Sequence, residues 1–353
     1  MFVITGLDIG GAELQVASLA ECLRKRQYDI DVVSLTTPLA LTERFTNAGI
    51  TVHSLQMRSA LDFPFALLHL LRLIRALRPD VVHGHMVHAN ILVRVAKIFM
   101  PKIKIISTAH NVHEGGWLRD LAYRLTNKFS EINTTISFAA TQRFVSDHVF
   151  PESKTVTVFN GIDIEKFHLP PHPRKLEGDF TWLAVGRLEP QKDYPTLLNA
   201  FAQLPKSRLL IAGKGSLCDH LQQLTETLGI ADRVQFLGVR NDVEQLYHQA
   251  DAFVLASEYE GYGLVIAEAM ASGLPVVVTD SGGPSELVGT DGVAGYVVPI
   301  KNHKNLASAM QNMMSLSDYE RELMGRKGRT RIVELFSLPK IVSKWEELYL
   351  SLT

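Results

Sequence analysis

The chain reads as an α/β protein built from two doubly wound domains, and three observations carry that prediction. At 353 residues it is too long for one typical core and suits two. Short apolar strand-like runs alternate with helical spacing along the whole chain, the pattern of parallel sheets with helices on both faces. A proline-rich polar stretch, Leu169-Pro-Pro-His-Pro-Arg-Lys-Leu-Glu-Gly178, breaks that rhythm near the middle, after the turn signal Asn160-Gly161. The division predicted from this is a first domain over 1–165, a linker over 166–178, a second domain over 179–336 and a last helix over 337–353.

In the first half, strands are predicted over 2–6, 30–35, 51–55, 81–83, 104–108, 131–135 and 155–159. Each has an apolar run bounded by turn residues. Helical spacing fills the gaps up to about residue 26, over 63–77 and over 89–99. In the second half the strands are 182–185, 208–212, 234–237, 252–256 and one opening at Pro275. Helices are expected from Tyr194, over 264–270, 304–314 and 318–335, with Gly273 as a cap past the helix 264–270. The segment 280–286 reads as a loop. In the final stretch Trp345, Leu348, Tyr349 and Leu352 fall on one helical face.

Composition narrows the partners. A net charge of −1 gives no footprint for nucleic acid. Cys22 and Cys218 lie far apart without metal or redox spacing, which fits a reducing cytoplasm. The start, MFVITGLDIGGAE, lacks the basic residues of a secretory signal. The longest apolar segment, 63–77, is broken by His69, Arg72 and Arg75, so no membrane span is expected. The arginines of that helix, with Arg78, are read either as a solvated face or as a contact for anionic lipid.

Chemistry-bearing residues gather on strand-to-helix loops. Gly10 and Gly11 sit where the first strand turns into a helix, a place suited to anions, but the G-x-G-x-x-G spacing of a dinucleotide site is absent. Glu13 follows, either as a functional carboxylate or as one favourable to the helix dipole. His83, His85 and His88 follow one strand, and His110 and His113 another. A metal cluster is one reading of these histidines; strand alternation, expected to send neighbours to opposite faces, speaks against it. Arg187 and Lys192 lie on the loop after the strand 182–185, where both can reach a diphosphate. Gly213-Lys-Gly-Ser216 is another glycine loop, though not a P-loop. Finally, Glu258-Tyr-Glu260-Gly-Tyr-Gly263 precedes a helix carrying Glu268, so its N–H groups and dipole favour phosphate.

Glu260-Gly-Tyr-Gly-Leu-Val-Ile-Ala-Glu268, followed by Ala-Met-Ala-Ser-Gly-Leu-Pro-Val-Val, resembles the E-x7-E signature of glycosyltransferase family 4, retaining enzymes of the GT-B fold. The likeness extends over nearly the whole chain. It includes Gly10-Gly-Ala-Glu13, Ser107-Thr-Ala-His-Asn111, Asn160-Gly-Ile-Asp163 and Gly186-Arg-Leu-Glu-Pro-Gln-Lys192, and is most specific over 156–286. Relatives usually carry a few residues before the first strand, whereas here Met1 is nearly in it.

The resemblance implies two Rossmann-like doubly wound domains facing a cleft, with the last helix crossing back to the first domain. It implies transfer of a sugar from a nucleotide-sugar, with UDP the commoner nucleotide, to a glycan or lipid-linked acceptor. Glu260 would contact the transferred sugar and Glu268 the ribose. Arg187, Lys192 and the N–H groups of Gly261, Tyr262, Gly263 and Leu264 would hold the diphosphate. Gly213 and Val239 or Arg240 would approach the nucleotide, and Gly10 and Gly11 the donor phosphates. His110 would lie beside the sugar, with Glu13 and His85 on the acceptor side. No Asp-x-Asp motif appears, so two cations are expected in place of a metal ion, and no cofactor is expected. The setting implied is cytoplasmic, with peripheral contact at the inner membrane surface left open. A nucleotide-sugar epimerase of the same fold and a non-catalytic nucleotide-sugar-binding protein remain as alternatives. A glycosidase is disfavoured, since Glu260 and Glu268 are expected on one element rather than facing each other across a bond.

Overall fold

The computed structural model describes residues 1–8, 10–37, 40–171, 178–289 and 292–353; residues 172–177 of the expected linker therefore lie outside the described residues. The chain divides into two compact units, Met1–Gly161 with Leu338–Thr353, and Ile162–Ser337.

The first unit holds a seven-stranded sheet of β1 (Phe2–Ile4), β2 (Asp31–Ser34), β3 (Thr51–Ser54), β4 (Val81–His85), β5 (Lys104–Ala109), β6 (Ile132–Thr135) and β7 (Thr155–Thr157). The order is β3-β2-β1-β4-β5-β6-β7 and every pair is parallel. Val3 pairs with Val33 on one side and Gly84 on the other. Because side chains alternate along a strand, Phe2 and Ile4 feed one core and Val3 the other. On the Val3 side, Leu70 and Ile74 of the helix Phe63–Leu77 pack with Leu92 and Val93 of the helix Val87–Phe99. On the Phe2 side, the last helix, Leu338–Leu350, contributes Leu338, Ile341, Val342 and Trp345. That helix starts so close to Gly161 that a Cβ there would stand 2.9 Å from Leu338 Cα.

The second unit holds β8 (Phe180–Val185), β9 (Ser207–Ala212), β10 (Val234–Gly238), β11 (Ala252–Leu255), β12 (Val276–Thr279) and β13 (Gly295–Val298), parallel and ordered β10-β9-β8-β11-β12-β13. β11 and β12 are buried throughout, which is why they read as unbroken apolar runs. Both sheets reverse their strand order once, between β1 and β4 and between β8 and β11, and doubly wound sheets bind ligands at that point.

Most predicted elements appear within a few residues of their expected bounds. The helices Phe63–Leu77 and Asp318–Leu335 coincide with the prediction, and Gly273, at φ 72°, caps the helix Leu264–Ala271. Two expectations need correction. The segment expected as a loop over 280–286 contains the helix Gly283–Val288, entered through Gly282 at φ 109° with Pro284 in its first turn. Turn-forming residues dominate the sequence there, but Pro is accepted at a helix start. The helix Trp117–Thr126 was not anticipated, because its apolar stripe faces outward: Trp117, Leu118, Leu121 and Leu125 are exposed and only Tyr123 is buried.

Candidate active site

In the second unit the loops after β8 and β11 flank the point where strand order reverses. The first carries Arg187 and Lys192, the second Glu260. The two loops are tied together, since the Glu258 N–H donates to the Gln191 carbonyl at 2.8 Å. The Lys192 ammonium donates to Glu260 Oε1 in an ion pair whose side chains are about 14% and 13% exposed. Ser257, fully buried at the end of β11, donates its hydroxyl to the same carboxylate oxygen at 3.0 Å. The backbone of Glu260 is fixed as well: its N–H donates to the Ser281 carbonyl at 2.9 Å, and its carbonyl accepts from Gly283 at 3.3 Å. A Cβ on Gly283 would meet Tyr262 Cα at 2.5 Å, so this approach requires glycine.

Gly263, at φ 87°, turns the loop into the helix Leu264–Ala271, whose first turn has no side-chain cap. The open N–H groups of that turn are the kind that accept an anion. Tyr262 turns its side chain inward against Phe336, with ring centroids 6.2 Å apart, so only its backbone is available to the loop. Arg187 is exposed, and no carboxylate lies within ion-pair distance among the described residues.

Glu268 stands on the helix after the loop, half-buried. It accepts the Tyr247 hydroxyl at 3.0 Å, and Tyr247 reaches the Val265 carbonyl at 3.1 Å. Burial pushes the Glu268 carboxyl up to about 7; the Tyr247 bond and Lys166 oppose this, and Glu244 adds to it. Glu260 and Glu268 are thus not on one element, as had been expected: Glu260 belongs to the loop and bonds Lys192, whereas Glu268 belongs to the helix and bonds Tyr247.

Two nucleotide-side candidates, Gly213 and Arg240, are held by neighbours of their own. Gly213, at φ 144°, sits so close to the first loop that a Cβ would stand 1.9 Å from the Gly186 carbonyl oxygen. Its glycine is therefore required by the packing of two loops within the unit. Arg240 forms a bidentate bond with Asp242 at 2.8 and 2.6 Å, while Val239 is exposed.

In the first unit, Gly10 caps the helix Gly11–Lys25 and Glu13 lies in its first turn, its carboxylate folded over Gly10. His85 ends β4 and His110 follows β5. His85 Nδ1 and His110 Nε2 are 3.0 Å apart, one donating to the other. Burial holds His110 down at about 4 and His85 well below the usual imidazole range, so both are neutral at pH 7. His83 does not point away from His85, contrary to the expectation that strand alternation separates these histidines. Two residues apart, they share a face with ring centroids 3.9 Å apart. Both nitrogens of His83 are engaged, by the Tyr349 hydroxyl at 2.8 Å and the Thr108 hydroxyl at 2.6 Å. Among the described residues no group of three or more His, Cys, Asp or Glu is placed to hold a metal ion. Ser257 and Tyr247 could not be recognised from spacing as partners of the two glutamates, because they are held by contacts across loops and helices.

Comparison with known proteins identifies the family. Residues 9–166 match the family described as "Glycosyltransferase Family 4" and residues 166–331 that described as "Glycosyl transferases group 1". The chain is 25% identical over 361 residues to N-acetyl-alpha-D-glucosaminyl L-malate synthase of Bacillus anthracis, covering 97% of this chain and 94% of the relative. It is 28% identical over 320 residues to an Escherichia coli UDP-Gal:alpha-D-GlcNAc-diphosphoundecaprenol alpha-1,3-galactosyltransferase, covering 81% and 79%. The crystal structure of Anabaena Alr3699/HepE in complex with UDP superposes with a TM-score of 0.89 over 99% of both chains at 23% identity, a likeness of fold. With two Rossmann-like units of the GT-B class and family matches running from residue 9 to residue 331, the chain belongs to glycosyltransferase family 4 and is a glycosyltransferase.

Proposed function

We propose that the protein transfers a sugar, with retention of anomeric configuration and without a metal ion, from a UDP-sugar to a lipid-linked or glycan acceptor. The observation that carries this reading is the arrangement at the second sheet's reversal point. There a lysine–glutamate pair, a free arginine and an uncapped helix start lie on the loops after β8 and β11. Arg187 and Lys192 supply positive charge for a departing diphosphate, the role a divalent cation would otherwise have. The N–H groups at the start of the helix Leu264–Ala271 bind its oxygens. Glu260 contacts the hydroxyls of the transferred sugar, and Glu268, ionised, accepts from the ribose hydroxyls. His110, neutral and half-buried beside His85, donates or accepts one hydrogen bond on the sugar. Val239 or Arg240 contacts the base through main-chain groups. Gly10, Gly11 and Glu13 face the donor phosphates and the acceptor.

UDP is chosen because the E. coli relative's name gives UDP-Gal as donor and the Anabaena structure contains UDP. A lipid-linked acceptor is supported by the diphosphoundecaprenol substrate in the same relative's name. No described helix is long and apolar enough to cross a membrane. A peripheral contact is supported by the helix Phe63–Leu77, which carries no carboxylate and exposes Phe65 and Leu68 near Arg72 and Arg75. The test is a thermal-shift panel of UDP-, GDP- and ADP-sugars, followed by release of nucleoside diphosphate from the best donor with and without EDTA. UDP-sugars are expected to raise the melting temperature and to be consumed unchanged by EDTA. No shift with any nucleotide overturns the reading, and loss of turnover in EDTA overturns its metal independence.

A further inference from the structure

The loop that follows β5 is held by a carboxylate that the proposed chemistry does not use. Glu114 Oε1 accepts the backbone N–H of His110 at 2.8 Å, and Oε2 accepts the Tyr123 hydroxyl at 2.5 Å. Tyr123 is fully buried on the helix Trp117–Thr126, and its oxygen accepts from Asn90 Nδ2 at 2.9 Å. The same Asn90 amide donates to the Thr108 carbonyl at 2.8 Å, two residues before His110. A circuit of hydrogen bonds therefore runs from β5 through two helices and back to the His110 peptide. Arg119 closes the far end of the loop by donating to the Glu114 carbonyl at 2.6 Å.

We propose that Glu114 is the positioning residue for His110: it fixes the peptide that sets the imidazole, without itself touching the sugar. The inference rests on the reading of His110 as a sugar contact.

The chemistry of the site calls for a carboxylate. Two donors converge on Glu114, and an ionised carboxylate offers an acceptor to each. A glutamine would satisfy one and turn its NH₂ toward the other. The carboxyl is kept here although burial pushes it up to about 7, against the Tyr123 and His110 bonds and the charges of Arg119 and Arg94. His88, on the same helix as Arg94, also feels Arg119. Below neutrality the carboxyl gains a proton that faces two donors, and its hold on the His110 N–H weakens.

The test uses the full chain with its preferred UDP-sugar and compares Glu114→Gln, Glu114→Asp, His110→Ala and the double variant Glu114→Gln/His110→Ala. Glu114→Gln is expected to lower kcat about 10–100-fold while the donor KM and the UDP-induced melting shift change less than about twofold. Glu114→Asp, which keeps both acceptors, should recover part of the rate. In the His110→Ala background the Glu114→Gln change should add less than about threefold. The acid limb of kcat near pH 7 should also disappear in Glu114→Gln. Full activity of Glu114→Gln, or losses that multiply in the double variant, overturns the inference alone. An unchanged kcat in His110→Ala overturns the reading of His110 and the inference with it. Should Glu114→Gln not fold, the Glu114→Asp variant alone decides, through its kcat and its pH profile with and without His110→Ala.

Discussion

The Lys192 ammonium and the Glu260 carboxylate are bonded to each other, although they lie on loops of two different strands and 68 residues apart. Each neutralises the other in a setting that is mostly shielded from water, and each is a group the proposed transfer uses separately. A sugar diphosphate entering here would share Lys192 between its phosphate and Glu260, which leaves a carboxylate oxygen for the sugar.

Breaking that pair separates stability from activity. Lys192→Met leaves Glu260 shielded and uncompensated, and is expected to destabilise the chain by about 1–3 kcal/mol and to lower kcat by about 10²–10³. The double variant Lys192→Met/Glu260→Gln should regain most of the urea midpoint and none of the rate. Equilibrium denaturation alongside steady-state kinetics checks both.

Glu268 should make nucleotide binding pH-dependent. If, as proposed, ribose hydroxyls donate to the ionised carboxylate, then below about pH 7 the nucleotide must drive off a proton. UDP affinity should then fall by about tenfold per pH unit between 7 and 5. The sign for the free protein is opposite. Its folded pKa lies above the unfolded value, so this group's stabilisation is full below about 4.5 and is lost as pH rises through about 7. Titration calorimetry in buffers of different ionisation enthalpy should show proton release on binding at pH 6.5, and Glu268→Gln should abolish it.

Tyr247 tunes that carboxyl. Its hydroxyl bond opposes the upward shift, so Tyr247→Phe should move the pH midpoint of UDP binding to higher pH. At neutral pH it should weaken UDP by about 1 kcal/mol. The same calorimetric series measures it.

Gly213 and Gly229 form a matched comparison. Both have positive φ, but a Cβ at Gly213 meets the Gly186 carbonyl, whereas at Gly229 nothing lies within 4 Å. Gly229→Ala should cost about 1 kcal/mol of backbone strain, and Gly213→Ala about 1–3 kcal/mol more, with displacement of the loop carrying Arg187. Urea midpoints and UDP affinity of the two variants check this.

Much of this was legible in the sequence, for physical reasons. Buried parallel strands such as β11 and β12 are unbroken apolar runs, and helices such as Phe63–Leu77 bury one face, so period and run length expose both. The glycines and glutamates of the second-unit loop carry their own local meaning, as φ 87° at Gly263 shows. What stayed hidden is held by contacts between distant residues. The bond between Lys192 and Glu260, the Tyr247 hydroxyl on Glu268, and the circuit of Glu114, Tyr123 and Asn90 leave no periodic trace. The fully buried Arg94, whose guanidinium is satisfied by Ser107, Asn133 and the Tyr123 carbonyl without a carboxylate, is another such case. The helix Trp117–Thr126 escaped because its apolar residues point the other way.

The most direct test of the central claim is a crystal structure of the protein with UDP bound. The diphosphate is expected against Arg187, Lys192 and the N–H groups of Gly263 and Leu264, with the ribose hydroxyls within about 3 Å of the Glu268 carboxylate. UDP bound away from Lys192 and Glu268, or a ribose that does not touch Glu268, would contradict it.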